Sequence, residues 1–247
     1  MGNIAPIRLA ATADLHLRPA VAGKFRPGFL RLDRHADLLV LGGDLTEGGT
    51  RANTALLCAE LAGLPVPVVA VLGNHDHDEN RGEFIARRLT ETGVVVLDGD
   101  STTLTIRGQR VGIAGVMGGS GGFPGHPGDP GSGSAEHRAR MRRGPVDAQR
   151  LREALDGLDC ALRIALTHFA PVVDTLVGEP TPIYPGLGCH ALGEAIDAGR
   201  ATLALHGHAH AGTEYGTTTG GVPVRNVSYP VLRRTYAVYD LPVAATA

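Results

Sequence analysis

Five short apolar runs in this chain each stop at residues that can hold a cation, and no other feature narrows the fold as far. Residues 7–13 run into Asp14-Leu15-His16, 38–41 into Gly42-Gly43-Asp44, and 66–72 into Gly73-Asn74-His75-Asp76. Residues 162–166 run into Thr167-His168, and 202–205 into His206-Gly207-His208-Ala209-His210. Runs this short, built from Val, Ile, Leu and Ala without strict alternation, read as strands covered on both faces. Further strand candidates lie at 94–97, 104–106, 111–114, 222–227 and 235–239, and helical candidates at 50–62, 79–92, 147–155 and 190–198. Strand and helix alternate through the first hundred residues, which predicts parallel βαβ units. The pairs 104–106/111–114 and 222–227/235–239 read as antiparallel hairpins, so the expected fold is α/β with mixed sheets.

Composition excludes several other classes. The 247 residues suit one large domain and can bury a sizeable core. Lys+Arg 23 against Asp+Glu 25 leaves a formal net charge of −2, so bulk charge provides no pull toward nucleic acid or an anionic membrane. The 3 cysteines, Cys58, Cys160 and Cys189, form no pairing pattern, which fits a reducing compartment rather than a disulfide scaffold. With no secretory signal and no bilayer-length apolar stretch, the expected location is cytoplasmic, with no membrane partner.

The residue types ending the five runs are carboxylates, imidazoles and one amide oxygen, the donors a hard-to-borderline metal site needs. In Asp14-x-His16 and His208-x-His210 a two-residue spacing in extended chain points both side chains the same way. The glycines before Asp44, Asn74 and His208 permit sharp turns and close approach to a charged group. Taken alone, a strand-end Asp reads as a turn former or helix cap, and a His on an apolar strand as a packed core residue. In an open α/β sheet, however, strand carboxyl ends share one edge where ligands bind, so the five clusters are expected to converge. His206, inside its strand, reads as a packing residue. His35, His77, His126, His137 and His190 match no ligand pattern and read as surface or loop residues.

The ordered set Asp14-x-His16, Gly43-Asp44, Gly73-Asn74-His75-Asp76, His168 and Gly207-His208-x-His210 resembles the calcineurin-like metallophosphoesterase superfamily. The resemblance implies a four-layer α/β/β/α sandwich of two mixed sheets. It implies two transition-metal ions, Mn, Fe or Zn foremost: one held by Asp14, His16, Asp44 and His210, the other by Asp44, Asn74, His168 and His208. It also implies in-line attack on phosphorus by a metal-bridging hydroxide, with His75 as general acid and Asp76 orienting it, and a small phosphoester as substrate. Asp44 is followed by Leu-Thr-Glu-Gly-Gly and His75 by Asp76, which departs from the protein Ser/Thr phosphatases; Glu47 stands where purple acid phosphatases carry a ligand tyrosine. The small bacterial phosphodiesterases are nearer in length and motif form, so a phosphodiesterase is expected. The alternatives are a broad phosphomonoesterase and a binding protein that kept the fold and lost turnover.

One stretch departs from the rest. Residues 118–134 hold eight glycines and three prolines, too many for a helix or a central strand. The stretch reads as part of a loop inserted at about 118–145, either a lid over the metal edge or a surface loop. The basic run follows it, and His137, Arg138, Arg140, Arg142 and Arg143 could clamp an anionic substrate, Arg138 and Arg140 foremost as phosphate contacts alongside Arg18 and the Asn74 amide; a solvated helix face is the plainer reading of the run.

Overall fold

The five donor-bearing apolar runs become strands buried on both faces, while the runs near 94–96, 104–106, 223–226 and 237–239 leave one face partly exposed. The computed structural model describes residues 5–131 and 133–241 and, at Glu136, the backbone alone. Among these residues the first strands are β1 (Ile7–Thr12), β2 (Leu38–Gly42), β3 (Val68–Val71), β4 (Val94–Val96), β5 (Asp100–Ile106) and β6 (Gln109–Gly115). There follow β7 (Gly122–Phe123), β8 (His126–Pro127), β9 (Leu162–Leu166), β10 (Leu203–His206), β11 (Tyr215–Thr217), β12 (Pro223–Asn226) and β13 (Ala237–Leu241). One sheet has the order β13-β1-β2-β3-β4, the other β11-β12-β10-β9-β6-β5, and β7 with β8 forms a small hairpin. β1 to β4 are parallel and β13 runs antiparallel to β1. In the second sheet β6, β9, β10 and β12 are parallel, and β5 and β11 add antiparallel edges. Both sheets are therefore mixed.

Alternation along each strand divides the core into layers. Ile7, Leu9, Ala11, Val40, Val69 and Val71 of the first sheet pack against Val111, Ile113, Ile164, Leu166 and Leu205 of the second. The opposite faces take helices. Ala10, Leu39, Leu41 and Ala70 pack on Leu57 and Leu61 of the helix Arg51–Leu61 and on Ile85 and Leu89 of Gly82–Glu91. Ala114, Ala165 and Ala204 pack on Leu151 and Leu155 of the helix Ala135–Asp156 and on Leu192 and Ile196 of His190–Ala198. The result is the four-layer α/β/β/α sandwich. Among the described residues no helix is long and apolar enough to cross a membrane.

Three local expectations change. The hairpin β5–β6 forms, turning at Arg107 and Gly108, both at positive φ as a tight hairpin turn requires. The second expected hairpin does not: β12 pairs with β10 and β11, while β13 crosses to the other sheet and pairs with β1. A short helix, Tyr229–Leu232, ended by Arg233 in the left-handed region, carries the chain across. The helix expected at 147–155 starts twelve residues earlier and spans Ala135–Asp156, through Pro145, so the irregular stretch ends at residue 134 and not near 145. Pro145 removes one intrahelical hydrogen bond, but buried Met141, Ala148, Leu151 and Leu155 hold both halves against the protein. Ser134 caps the start, its Oγ accepting from the His137 amide at 3.1 Å.

Candidate metal centre

The donors follow the strand ends directly: Asp14 and His16 after β1, Asp44 after β2, Asn74 and His75 after β3, His168 after β9, His208 and His210 after β10. The loops bind one another. Asp14 N donates to Gly43 O at 2.9 Å, His16 N to Asp44 O at 3.0 Å, and Gly207 N to His168 O at 3.1 Å. Asp14, His16, Asp44 and His208 all have positive φ, at 57°, 44°, 48° and 69°. That conformation costs a non-glycine residue roughly 1–3 kcal/mol and collects at functional sites. Close approach explains two glycines. A Cβ at Gly43 would stand 2.6 Å from His168 Nδ1, and one at Gly73 would strike the Asp44 carboxylate.

The donor atoms fall into overlapping groups. Those of Asp14, His16 and His210 lie within 4.8 Å of one another, as do those of Asp44, His168 and His208, and those of His16, Asp44 and His75. His210 Nε2 is 2.9 Å from Asp14 Oδ1. His168 Nε2 is 3.1 Å from Asn74 Oδ1 and 3.4 Å from Asp44 Oδ2, and His16 Nε2 is 3.9 Å from the same Asp44 oxygen. Thus the seven expected ligands meet at one edge, with Asp44 between the two sets.

The residues fit cations. Both ring nitrogens of His16 are buried without a hydrogen-bond partner. Nδ1 of His168 lies 2.9 Å from Gly42 O, a carbonyl that only an N–H can satisfy, so in the neutral ring the Nε2 lone pair faces the oxygens of Asn74 and Asp44. A cation, or a proton, must lie there. Without a metal it is a proton: burial opposes the charge, but the Asp44 carboxylate outweighs it and lifts the His168 pKa to about 9. Burial, reinforced by His168, pushes His208 down to about 3, which keeps that ring a neutral ligand. Burial alone would raise Asp44, yet His168, His208 and His75 hold it far below the ordinary carboxylate range. At His210 the hydrogen bond to Asp14 raises the pKa.

Asp76 corrects an expectation. Its carboxylate does not reach His75. It accepts from Leu45 N and Gly73 N at 3.0 Å each, from Thr46 N at 2.8 Å and from Thr46 Oγ1 at 2.7 Å. Asp76 therefore ties the turn carrying Asp44 to the turn carrying Asn74. Its burial, with Asp44 nearby, pushes its pKa up to about 6. The carboxylate beside His75 is Asp78, whose Oδ2 lies 3.3 Å from Nδ1. His75 is itself partly exposed, its ring edge-on to His16 with centroids 5.1 Å apart.

The remaining candidates separate. His206 is fully buried, its ring nitrogens 2.7 Å from Gly207 O and 2.8 Å from Thr175 Oγ1. Arg18 pairs with Glu47 at 3.1 Å, and that carboxylate also lies 3.3 Å from His16 Nδ1. Arg138 donates to Gly133 O at 2.5 Å. Arg140 instead lines a cavity of about 190 Å³ with Asn74, Ser120, His137, Phe169, Gly186 and His208. His137, which matched no ligand pattern but belongs to the basic run, is thus brought to the metal edge. Its three-residue spacing from Arg140 was the available signal. His77 is half-buried and lines an apolar cavity with Leu72, Val96, Leu97 and Met117, and the His126 ring lies 4.9 Å from that of Tyr184.

Comparison with known proteins agrees with this arrangement. The calcineurin-like phosphoesterase profile matches residues 7–212. The chain belongs to the calcineurin-like phosphoesterase family, metal-dependent hydrolases of phosphoesters. Its fold is similar to that of the phosphopantetheinyl hydrolase PptH from Mycobacterium tuberculosis: TM-score 0.70 at 19% identity, covering 98% of this chain and 99% of that one. It is also similar to TT1561 of Thermus thermophilus, with TM-score 0.64 at 18% identity over 96% of this chain and 100% of that one. A putative 5'-nucleotidase from Staphylococcus aureus matches with TM-score 0.58 at 14% identity, over 90% of this chain and 48% of that one. No curated protein matches the chain by sequence.

Proposed function

We propose that the protein is a dinuclear-metal phosphodiesterase. The observation that carries the reading is the position of Asp44, whose Oδ2 lies 3.9 Å from His16 Nε2 and 3.4 Å from His168 Nε2. One carboxylate facing both histidine sets is what two neighbouring ions sharing a ligand need. Asp14, His16, Asp44 and His210 would hold one ion, and Asp44, Asn74, His168 and His208 the other. Mn, Fe or Zn suits these nitrogen and oxygen donors. When bound, such a pair supplies Lewis acidity at the phosphoryl oxygens and acidifies a water for attack.

The chain's own residues supply the rest. His75 stands at the open rim with Asp78 beside Nδ1; doubly protonated, the ring would share its Nδ1 proton with Asp78 and give its Nε2 proton to the departing oxygen. Asp76 keeps Asp44 and Asn74 in register through its four donors. The Gly42 carbonyl sets which nitrogen of His168 is available, as carbonyls beside metal-binding histidines do. Preference for diesters rests on the motif form: protein-phosphatase features are missing after Asp44 and His75.

Hydrolysis of bis-p-nitrophenyl phosphate and of p-nitrophenyl phosphate, with manganese and after chelation, tests the reading. The expected result is manganese-dependent turnover with the diester ahead. A monoester lead would replace the diesterase by a phosphomonoesterase, and turnover that survives chelation would remove the metals.

A further inference from the structure

The cavity of about 190 Å³ beside the buried donor set draws Asn74 and His208 from the strand-end edge, and His137 and Arg140 from the helix Ala135–Asp156. Ser120 comes from the glycine-rich stretch. His137 and Arg140 are three residues apart and share one face of the helix. Backbone contact brings that face to the metal edge. A Cβ at Gly119 would lie 2.7 Å from Gly144 N and 2.8 Å from Arg140 O, and one at Gly144 would strike Ser120 O. Only glycines allow this approach, so the helix backbone at Arg140 is seated against the 118–120 segment.

Among the described residues the lining includes Arg140 and His137 and no Asp or Glu. A guanidinium's planar fork matches phosphoryl oxygens. His137 lies in the first turn of its helix, at the positive end of the helix dipole. The volume is below the roughly 300–1,000 Å³ of pockets that enclose a whole drug-sized ligand, so it takes one group of a substrate. A group seated here while its neighbour is at the donor edge is small, anionic and adjacent to the phosphorus under attack.

The geometry points to a subsite for a second phosphoryl group, with Arg140 as its specificity-determining contact and His137 in support. This rests on the phosphoesterase reading above and deepens it: preferred substrates are esters of diphosphate rather than simple diesters. Arg138, which donates to Gly133 O, takes no part.

Competitive inhibition of bis-p-nitrophenyl phosphate hydrolysis by inorganic phosphate and by inorganic pyrophosphate tests the subsite, using manganese-loaded wild type, Arg140→Met, Arg140→Lys and His137→Gln. Chelation of free manganese by pyrophosphate acts equally on all four proteins, so the comparison isolates the side chain. Wild type is expected to bind pyrophosphate at least tenfold more tightly than phosphate. Arg140→Met should cut that advantage to threefold or less, with Arg140→Lys and His137→Gln in between. An advantage that is absent in wild type, or unchanged in Arg140→Met, overturns the subsite. Should bis-p-nitrophenyl phosphate not be cleaved at all, the diesterase reading falls. The same ratio, measured by calorimetric titration of phosphate and pyrophosphate into manganese-loaded wild type and Arg140→Met, then decides the subsite independently.

Discussion

The two donor sets that share Asp44 differ in their surroundings. His168 and His208 lie deep: His168 is wholly inaccessible, its ring fixed by the Gly42 carbonyl and flanked by Phe169. His210, on the other side, leaves 43% of its side chain exposed, and His16 faces the partly exposed Glu47. One half is built on the buried His168 and opens through Asn74 and His208 onto the cavity that Arg140 lines; the other opens toward solvent and toward His75. The contrast teaches that strand ends from two facing sheets can build one donor set around a buried histidine and another around an exposed one.

Asp44→Ala should do the greatest damage, because it strikes both halves at once. Metal content should fall from two ions per chain to one or none, and turnover by more than the roughly 10²-fold that loss of an outer hydrogen-bond partner costs. Two ions retained, by elemental analysis, would dissolve the shared-ligand picture. His75→Ala comes next. It should keep both ions and lose about 10²- to 10⁴-fold in turnover, the usual size of a general-acid contribution; an unchanged rate would remove His75 from the chemistry. The two halves themselves are compared by His168→Ala and His210→Ala. The buried substitution should weaken manganese binding about tenfold more than the exposed one, since burial leaves no water to replace the lost ligand well. Equal losses in calorimetric titration would mean that burial does not separate the halves.

A separate effect, on stability, concerns the packing behind the deep half. Burial lowers the His206 pKa to about 4, from an ordinary value near 6.5. A depressed folded-state pKa gives stability that is complete above pH 6.5 and is lost as pH falls through about 4, because the unfolded chain takes up the proton first. The span is worth about 3 kcal/mol. Urea unfolding of metal-free wild type and His206→Gln across that window should show the wild type losing more stability. Parallel curves would mean that His206 does not titrate differently on folding.

Much of the site was legible because its signals are local. Strand ends located the donor clusters, and the family resemblance singled out Asp14, His16, Asp44, Asn74, His168, His208 and His210 among them; the extended chain expected across D-x-H and H-x-H does not form, since Asp14, His16 and His208 have positive φ. What escaped depends on contacts distant in sequence. Asp76 sits next to His75 in the chain, but its four donors belong to two separate turns, so only tertiary structure reveals that it braces Asp44. Strands β12 and β13 look like a hairpin because they are neighbours, yet each completes a different sheet. The helix expected at 147–155 begins at Ala135, and burial of Met141 and Ala148 on the two sides of Pro145 carries it through. Arg140 and Arg138 are indistinguishable in the basic run until the Gly119–Gly144 approach turns one toward the metal edge.

Anomalous diffraction from crystals grown with manganese tests the shared carboxylate most directly. The account predicts two peaks per chain, one flanked by Asp14, His16 and His210, the other by Asn74, His168 and His208, with Asp44 contacting both. A single peak, or two peaks with Asp44 touching only one, would contradict it.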